Sequence, residues 1–462
     1  MMLVETFVSL LETGWQEAFA RKSSLRRAVE QALAGACVFG DRMISRVICA
    51  LGRGGQDWSA DYKIYSRSPW NPDALFEPVI GAYLGRFPDG PIVMPLDDTV
   101  VKKTGLKIES ATWLRDPMGP PFHTNLIRGL RFVQATLIFP LHREGNHSAR
   151  SLPIRFSEAP PVKKPGKRAG EEERALYREA KKQFTLSRKG LEVIRSVRES
   201  LDAQEAYDRD LLVVGDGSYC NRTLFRADLE RVAILARCRK DAALCFPAPP
   251  GSRRKYAATR FTPEQIRQDD SIPWKRAQVF YGGSRREIRY KEIAGVLWPR
   301  GALDRPLRLF VLAPQPYKPS PLSKTLYRDP VYLLGLGLES DAPTSIQAFL
   351  DRWQIECNHR DEKEIMGVGE AQVRAPRSVP RQPAFTVAVY SLLLLAGLLA
   401  FGPERTEDYI PLPKWRKRAK RPSALDLIAV LRKEIHETRA PGDERAAIYS
   451  NIAKFSHLYA FT

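Results

Sequence analysis

The sequence predicts an α/β fold with helices at both ends and a strand-rich middle. Three observations lead there. The first 85 or so residues carry apolar side chains at helical spacing, as in "ETFVSLLETGWQEAFA". Two short apolar runs, "PIVMPLDDT" at 91–99 and "LLVVGDG" at 211–217, read as buried strands that stop at acids. Helical spacing returns from about 343 to 401.

Each element follows from local signals. "SSLRRAVEQALAGACV" opens with a Ser that can cap a helix. "YSRSPWNPDALFEPVIGAYL" gives Pro and Asn turn signals and then an amphipathic helix. This basic leader is expected to contact DNA or to serve as a helical packing unit. "RFVQATLIFPL" at 131–141 is rich in strand formers. "APPVKKPGKRAGEEER" at 159–174 reads as an exposed linker, followed by one long charged helix over about 171–205. "RVAILARCRKDAALCF" supplies another strand. Between about 240 and 335, pieces such as "AQVFYGG", "REIRYKEIAGVLW" and "LRLFVLAP" alternate with turn signals, so a β-rich insertion is expected there. The tail is a basic cluster followed by a helix.

Composition narrows the partners. The chain has 462 residues, 44% of them hydrophobic, enough for a large core. Lys and Arg number 73 against 53 Asp and Glu, a net charge of +20. That balance favours a polyanion, nucleic acid before a membrane surface. The six Cys show no CxxC pair and no zinc spacing, which fits reduced thiols in a cytoplasmic setting. The first residues carry acids and lack the basic start of a signal peptide. The apolar run "FTVAVYSLLLLAGLLAF" at 385–401 is near the lower limit for a membrane span and is read as a buried core helix.

The chemistry centres on "FLDRWQIECNHRDEK", residues 349–363. On one regular helix, Phe349, Arg352, Glu356 and Lys363 share a narrow stripe, with Trp353 just beside it. Taken alone, Glu356 can simply pair with Arg360 four residues on. The acids at the strand ends change that. Asp97, or its neighbour Asp98, and Asp216 would project from the rim of a sheet, where sites assemble. Two such carboxylates and Glu356 could converge on a pair of divalent cations. Phosphodiester chemistry uses two Mg²⁺ roughly 3.5–4 Å apart. Mg²⁺ takes carboxylate oxygen, keeps several waters and needs no His or Cys. The sequence has no HExxH set and no GxxxxGK[ST] loop.

These residues resemble the DDE transposases of bacterial insertion sequences, in particular the cut-and-paste group with a ribonuclease H-like core. That group carries a helical signature Tyr-x2-Arg-x3-Glu-x6-Lys. Here Phe349, Arg352, Glu356 and Lys363 stand at that spacing, with Phe in place of Tyr. "DDT" resembles the group's first Asp motif and "VVGDGSY" its second. The resemblance spans roughly 91–400. It implies a mixed sheet flanked by helices, interrupted by the β-rich insertion between the second Asp and the Glu. It assigns catalysis and metal ligation to Asp97, Asp216 and Glu356, with two Mg²⁺ expected and Mn²⁺ a possible substitute. Asp97 is preferred to Asp98 because one residue separates it from Thr99, as in the family motif.

The resemblance gives Arg352 and Lys363 to phosphates, and Trp353 to stacking on an extruded base or to packing the helix on the core. Trp298 is a weaker wedge candidate, and His359 is read as a surface residue or one behind the site rather than a general base. The implied activity is cleavage at transposon ends and strand transfer into target DNA. The alternatives are a stand-alone nuclease and a non-catalytic DNA-binding protein. Expected partners are double-stranded DNA, namely terminal inverted repeats and target, with a homo-oligomer on DNA and no membrane. Expected boundaries are 1–88 for a helical DNA-binding domain, 89–239 and 339–405 for the catalytic core, 240–338 for the insertion and 406–462 for the basic helical tail.

Overall fold

The computed structural model describes residues 2–116, 122, 124–320, 322–413, 415, 419–438 and 445–458. The chain opens on helices α1 (Leu3–Gly14), α2 (Lys22–Cys37), α3 (Ile44–Ala50), α4 (Ser59–Ser66) and α5 (Glu77–Arg86). Strands β1 (Ile92–Lys102), β2 (Thr112–Arg115), β3 (Leu126–Phe139) and β4 (Arg150–Glu158) follow. After α6 (Glu171–Gln183) and α7 (Leu186–Ala203) come β5 (Leu211–Gly215), α8 (Arg222–Phe225), β6 (Val232–Arg237) and α9 (Pro263–Gln268). Next are β7 (Lys275–Tyr281), β8 (Ser284–Val296), β9 (Leu307–Leu312), β10 (Pro316–Tyr317), β11 (Leu326–Tyr327) and β12 (Val331–Leu336). Helices α10 (Ala342–Asp351), α11 (Gln354–Glu364), α12 (Ser378–Phe401), α13 (Ala424–Glu437) and α14 (Ala446–Leu458) complete the described chain.

Ten strands form one mixed sheet in the order β2-β3-β1-β5-β6-β12-β9-β8-β7, with β4 also paired to β3. β1, β5 and β6 run parallel, while β3 and β4 add antiparallel partners on one side. This is an α/β, ribonuclease H-like arrangement. The strand-rich interval is not set apart from it. β12 pairs antiparallel with β6, so β12, β9, β8 and β7 extend the same sheet. Among the described strands, only those of the short ribbon β10–β11 stand outside.

The apolar run is the heart of α12. Its mean hydropathy of 2.3 and its length would suit a membrane span, but 78% of the apolar window is buried within the protein. It packs on β4 and is surrounded by α1, α2 and α13, so helical leader, sheet and C-terminal helices share one core. Gly397 permits this crossing: a Cβ there would lie 2.3 Å from Leu427 Cδ2 of α13.

Three expectations change. α2 begins at Lys22 with no side-chain cap, leaving Ser23 and Ser24 inside the first turn. The long charged helix is two helices, because the Thr185 side chain accepts the Arg188 N–H and starts α7 afresh. β1 does not stop at the acids but runs on to Lys102, held by β3. The basic cluster near 413–421 lies partly outside the described residues.

Candidate active site

Asp97 and Asp216 meet because of strand register. β1 and β5 are parallel, and Leu96 pairs with Gly215 as the last couple. The next residue on each strand is Asp97 and Asp216, which are thus neighbours across the rim. β1 continues and β5 turns away. The turn is fixed by Asp216 itself, whose Oδ1 accepts the Ser218 N–H at 2.9 Å. Gly215 has a steric reason too: a Cβ there would lie 2.6 Å from the Cβ of buried Tyr219. Gly215→Val is expected to lower the unfolding free energy by roughly 1–3 kcal/mol. Urea denaturation checks this; a wild-type midpoint would show that Tyr219 yields without cost.

Asp97 and Asp98 point to opposite faces of the sheet, as alternate strand residues must. Asp98 Oδ2 accepts Arg131 Nε at 2.7 Å. Asp97 is on the face of Gln134, its register partner on β3, and Gln134 Nε2 donates to buried Glu362 Oε1 of α11 at 2.6 Å. Three further bonds hold α11 and the segment after it on that face. Asn358 Nδ2 donates to Ser151 O at 3.1 Å, and Lys103 Nζ donates to Gly369 O and Ala371 O just beyond the helix.

The signature segment is not one regular helix. α10 ends at Asp351 and α11 starts at Gln354. Across the joint, the N–H groups of Trp353, Ile355 and Glu356 bond three residues back rather than four, a locally tightened turn. The single stripe drawn at 100° per residue is therefore broken between Phe349 and Glu356. Its outcome survives in part: Phe349, Arg352 and Glu356 line one cleft together with Asp216.

Arg352 is the hinge of the cluster. Its Nη2 donates to Glu356 Oε1 at 2.8 Å and its Nη1 lies 3.5 Å from Asp97 Oδ2. Its Nε and Nη1 have no hydrogen-bond partner. Asp97 is pushed up to about 6, chiefly by burial and with the charge of Asp216 adding to it, while His359 and Arg352 pull the other way. His359 is buried with both ring nitrogens free of hydrogen bonds, its Nδ1 3.6 Å from Glu362 Oε2. It comes from the same helix three residues after Glu356, a spacing that could have placed it beside the acids from sequence alone.

The cleft has a volume of about 1010 Å³, and basic side chains Arg237, Arg239, Lys240 and Arg267 line it together with the acids Asp216, Glu264, Asp329 and Glu356. Arg237 is the last residue of β6, and Arg239 and Lys240 follow it, on the same rim as the end of β5. Lys363 is exposed and outside the cleft lining, though it feels the charge of Asp97. Trp353 is 59% exposed, so it does not pack the helix onto the core. Trp298 does the reverse: it is half-buried and sits edge-on against Phe225 at 5.6 Å.

Among the described residues, no group of three His, Cys, Asp or Glu side chains is gathered as a ready metal cage. Asp97 and Asp216 are side by side, and Glu356 joins them through Arg352. The donor set still suits a hard divalent cation. Two carboxylates share a rim, one is burdened by burial and by its neighbour, and a bound cation would relieve both costs.

A family model described as DDE superfamily endonuclease matches residues 17–302, more than half of the chain. The match holds Asp97 and Asp216 and ends before Glu356. No curated protein matches the chain. DDE endonucleases are metal-dependent nucleases that act on DNA, in keeping with paired strand-rim carboxylates facing a basic cleft. The chain belongs to the DDE superfamily endonucleases.

Proposed function

We propose that this protein is the transposase of a bacterial insertion sequence, working in the cytoplasm on double-stranded DNA as a homo-oligomer. It binds terminal inverted repeats, cleaves at the element's ends, and uses the freed 3′-OH to attack target DNA. One observation carries the proposal: Asp97 and Asp216 are adjacent on parallel strands, and Arg352 links Asp97 to Glu356 at the edge of a cleft that carries several basic side chains. The helical leader 1–88 and the basic tail are assigned to DNA contact, and 89–239 with 339–405 to the catalytic core.

Asp97, Asp216 and Glu356 are the residues that would hold Mg²⁺. Bound cations supply activation of the attacking oxygen and stabilisation of the leaving one. The chain's own groups do the rest. Arg352 holds the Glu356 carboxylate in place and presents unused N–H groups for a phosphate. Lys363 adds a mobile positive charge at the flank of α11. Phe349 lines the cleft as an apolar wall, without the hydroxyl of a Tyr. The basic side chains of the cleft, Arg237, Arg239 and Lys240 among them, neutralise the DNA backbone.

The test is cleavage of DNA carrying the repeats that flank the coding region, with Mg²⁺ and with each acid neutralised in turn. Cutting without joining to a target would reduce the assignment to a nuclease. Repeat-specific binding that survives loss of all three acids, with no cutting, would favour a binding protein.

Trp353 gives an independent handle. Trp353→Ala should leave the unfolding midpoint unchanged, because the indole is mostly exposed. It should weaken capture of a DNA end with an unpaired base by about 5- to 100-fold, the range expected for one lost base–aromatic stack. Fluorescence titration with paired and unpaired ends checks this; equal affinities for wild type and variant would remove Trp353 from the site.

A further inference from the structure

α11 serves two cavities. Arg352, at its start, and Glu356 face the catalytic cleft. Gln354, Cys357, Asn358 and Asp361, about half a turn round the helix, line a second cavity of about 200 Å³. Its other walls come from the start of β4 and the residues leading into α13, including Arg150, Ser151 and Arg421.

The charges in this cavity do not balance. Arg150 is buried, and its Nη1 donates to Pro422 O at 2.8 Å. Arg421 Nη1 donates to Ala149 O at 3.1 Å and to Gln354 Oε1 at 2.8 Å. Among the described residues neither guanidinium has a carboxylate partner in an ion pair. Asp361 is the only carboxylate in the lining, and it is already taken: Arg360 Nη2 lies 2.9 Å from its Oδ1, and the Tyr390 hydroxyl 3.4 Å from its Oδ2. Ser151 Oγ is buried and has no hydrogen-bond partner. Burial, with the charge of Arg421 adding to it, brings Arg150 down to about 10, while Tyr390, Tyr409 and Asp361 pull weakly the other way.

A buried cation without a counter-charge is costly. Arg150, which is buried, and Arg421, which is partly buried, flank one cavity with an unpartnered hydroxyl beside them, and an anion there would satisfy all three. A guanidinium fork binds phosphate oxygens bidentately, and two guanidinium groups with a hydroxyl offer donors to more oxygens than a carboxylate carries. We infer that this cavity is a phosphate site, held by Arg150 and Arg421, with the Ser151 hydroxyl as a third donor and Arg360 at its edge. The phosphate is either a backbone phosphate of DNA running past α11 or free inorganic phosphate. The inference does not depend on the catalytic assignment, since binding is read without turnover.

The experiment uses the full chain and two variants, Arg150→Met and Arg421→Gln. Thermal unfolding is followed in inorganic phosphate and in chloride of equal ionic strength. Wild type should gain about 2 °C or more in phosphate beyond the gain of either variant. In chloride, Arg150→Met should unfold no earlier than wild type, because it removes an unpaired buried charge. If that variant fails to fold, Arg421→Gln, which is only partly buried, carries the comparison. Salt-dependent duplex binding separates the sources. A backbone phosphate predicts that Arg421→Gln makes the slope of log K against log salt shallower by about 0.9. Free phosphate predicts an unchanged slope with the thermal gain still lost. Equal responses of wild type and variants in both arms overturn the inference.

Discussion

Glu356→Gln should leave the fold intact and lower Mg²⁺-dependent DNA cleavage by at least ~10³-fold, exceeding the loss that follows removal of one preorganised neutral donor. The substitution keeps the shape of the side chain. Its amide oxygen can still accept from Arg352 Nη2, which now reaches Glu356 Oε1 at 2.8 Å. What disappears is one negative charge that would face a divalent cation. Stability should move by no more than about 1 kcal/mol, because the glutamate is partly exposed and surface pairs contribute little. Single-turnover cleavage of a repeat-bearing duplex, beside an unfolding curve, separates the two effects. A variant that cuts at the wild-type rate would exclude Glu356 from the metal site, whatever its position.

Asp97→Asn should split stability from activity. Burial raises the Asp97 carboxyl from its ordinary 3.8 to about 6. The folded protein therefore holds that proton more tightly than the unfolded chain. An ionised Asp97 costs stability, and the cost grows as pH rises from about 4 to about 6. Asn has no charge to bury. In EDTA at pH 8 the variant should be more stable than wild type by on the order of 2–3 kcal/mol. The gap should close below pH 4. With millimolar Mg²⁺ the order should reverse, since wild type gains a bound ion and the variant does not. Cleavage should be lost throughout. A wild type that is the more stable of the two in EDTA at pH 8 would show that the Arg352 contact outweighs burial.

Much of the fold was legible in the sequence because short apolar runs and helical spacing are local signals. "LLVVG" became a central strand, and the 385–401 run became a buried helix, as its surroundings of soluble-type segments suggested. β2 and β4 carried no clear signal and went unread. β4 does alternate, Leu152, Ile154 and Phe156 against Ser151, Arg155 and Ser157, but Pro153 in its middle argues against a strand when no pairing is known. The joint at Arg352–Trp353 was invisible for a related reason: both residues keep helical backbone angles, and only the hydrogen-bond partners shift.

The sequence by itself determined the chemistry available: acids following apolar strands, an Arg–Glu–Lys series at helical spacing and a surplus of cations. Only the tertiary structure decided which acids meet. Parallel register put Asp97 beside Asp216, the pleat sent Asp98 to Arg131, and the joint between α10 and α11 laid Arg352 against both Asp97 and Glu356. Register and pleat are relations between strands far apart in the chain, and no local window of residues contains them.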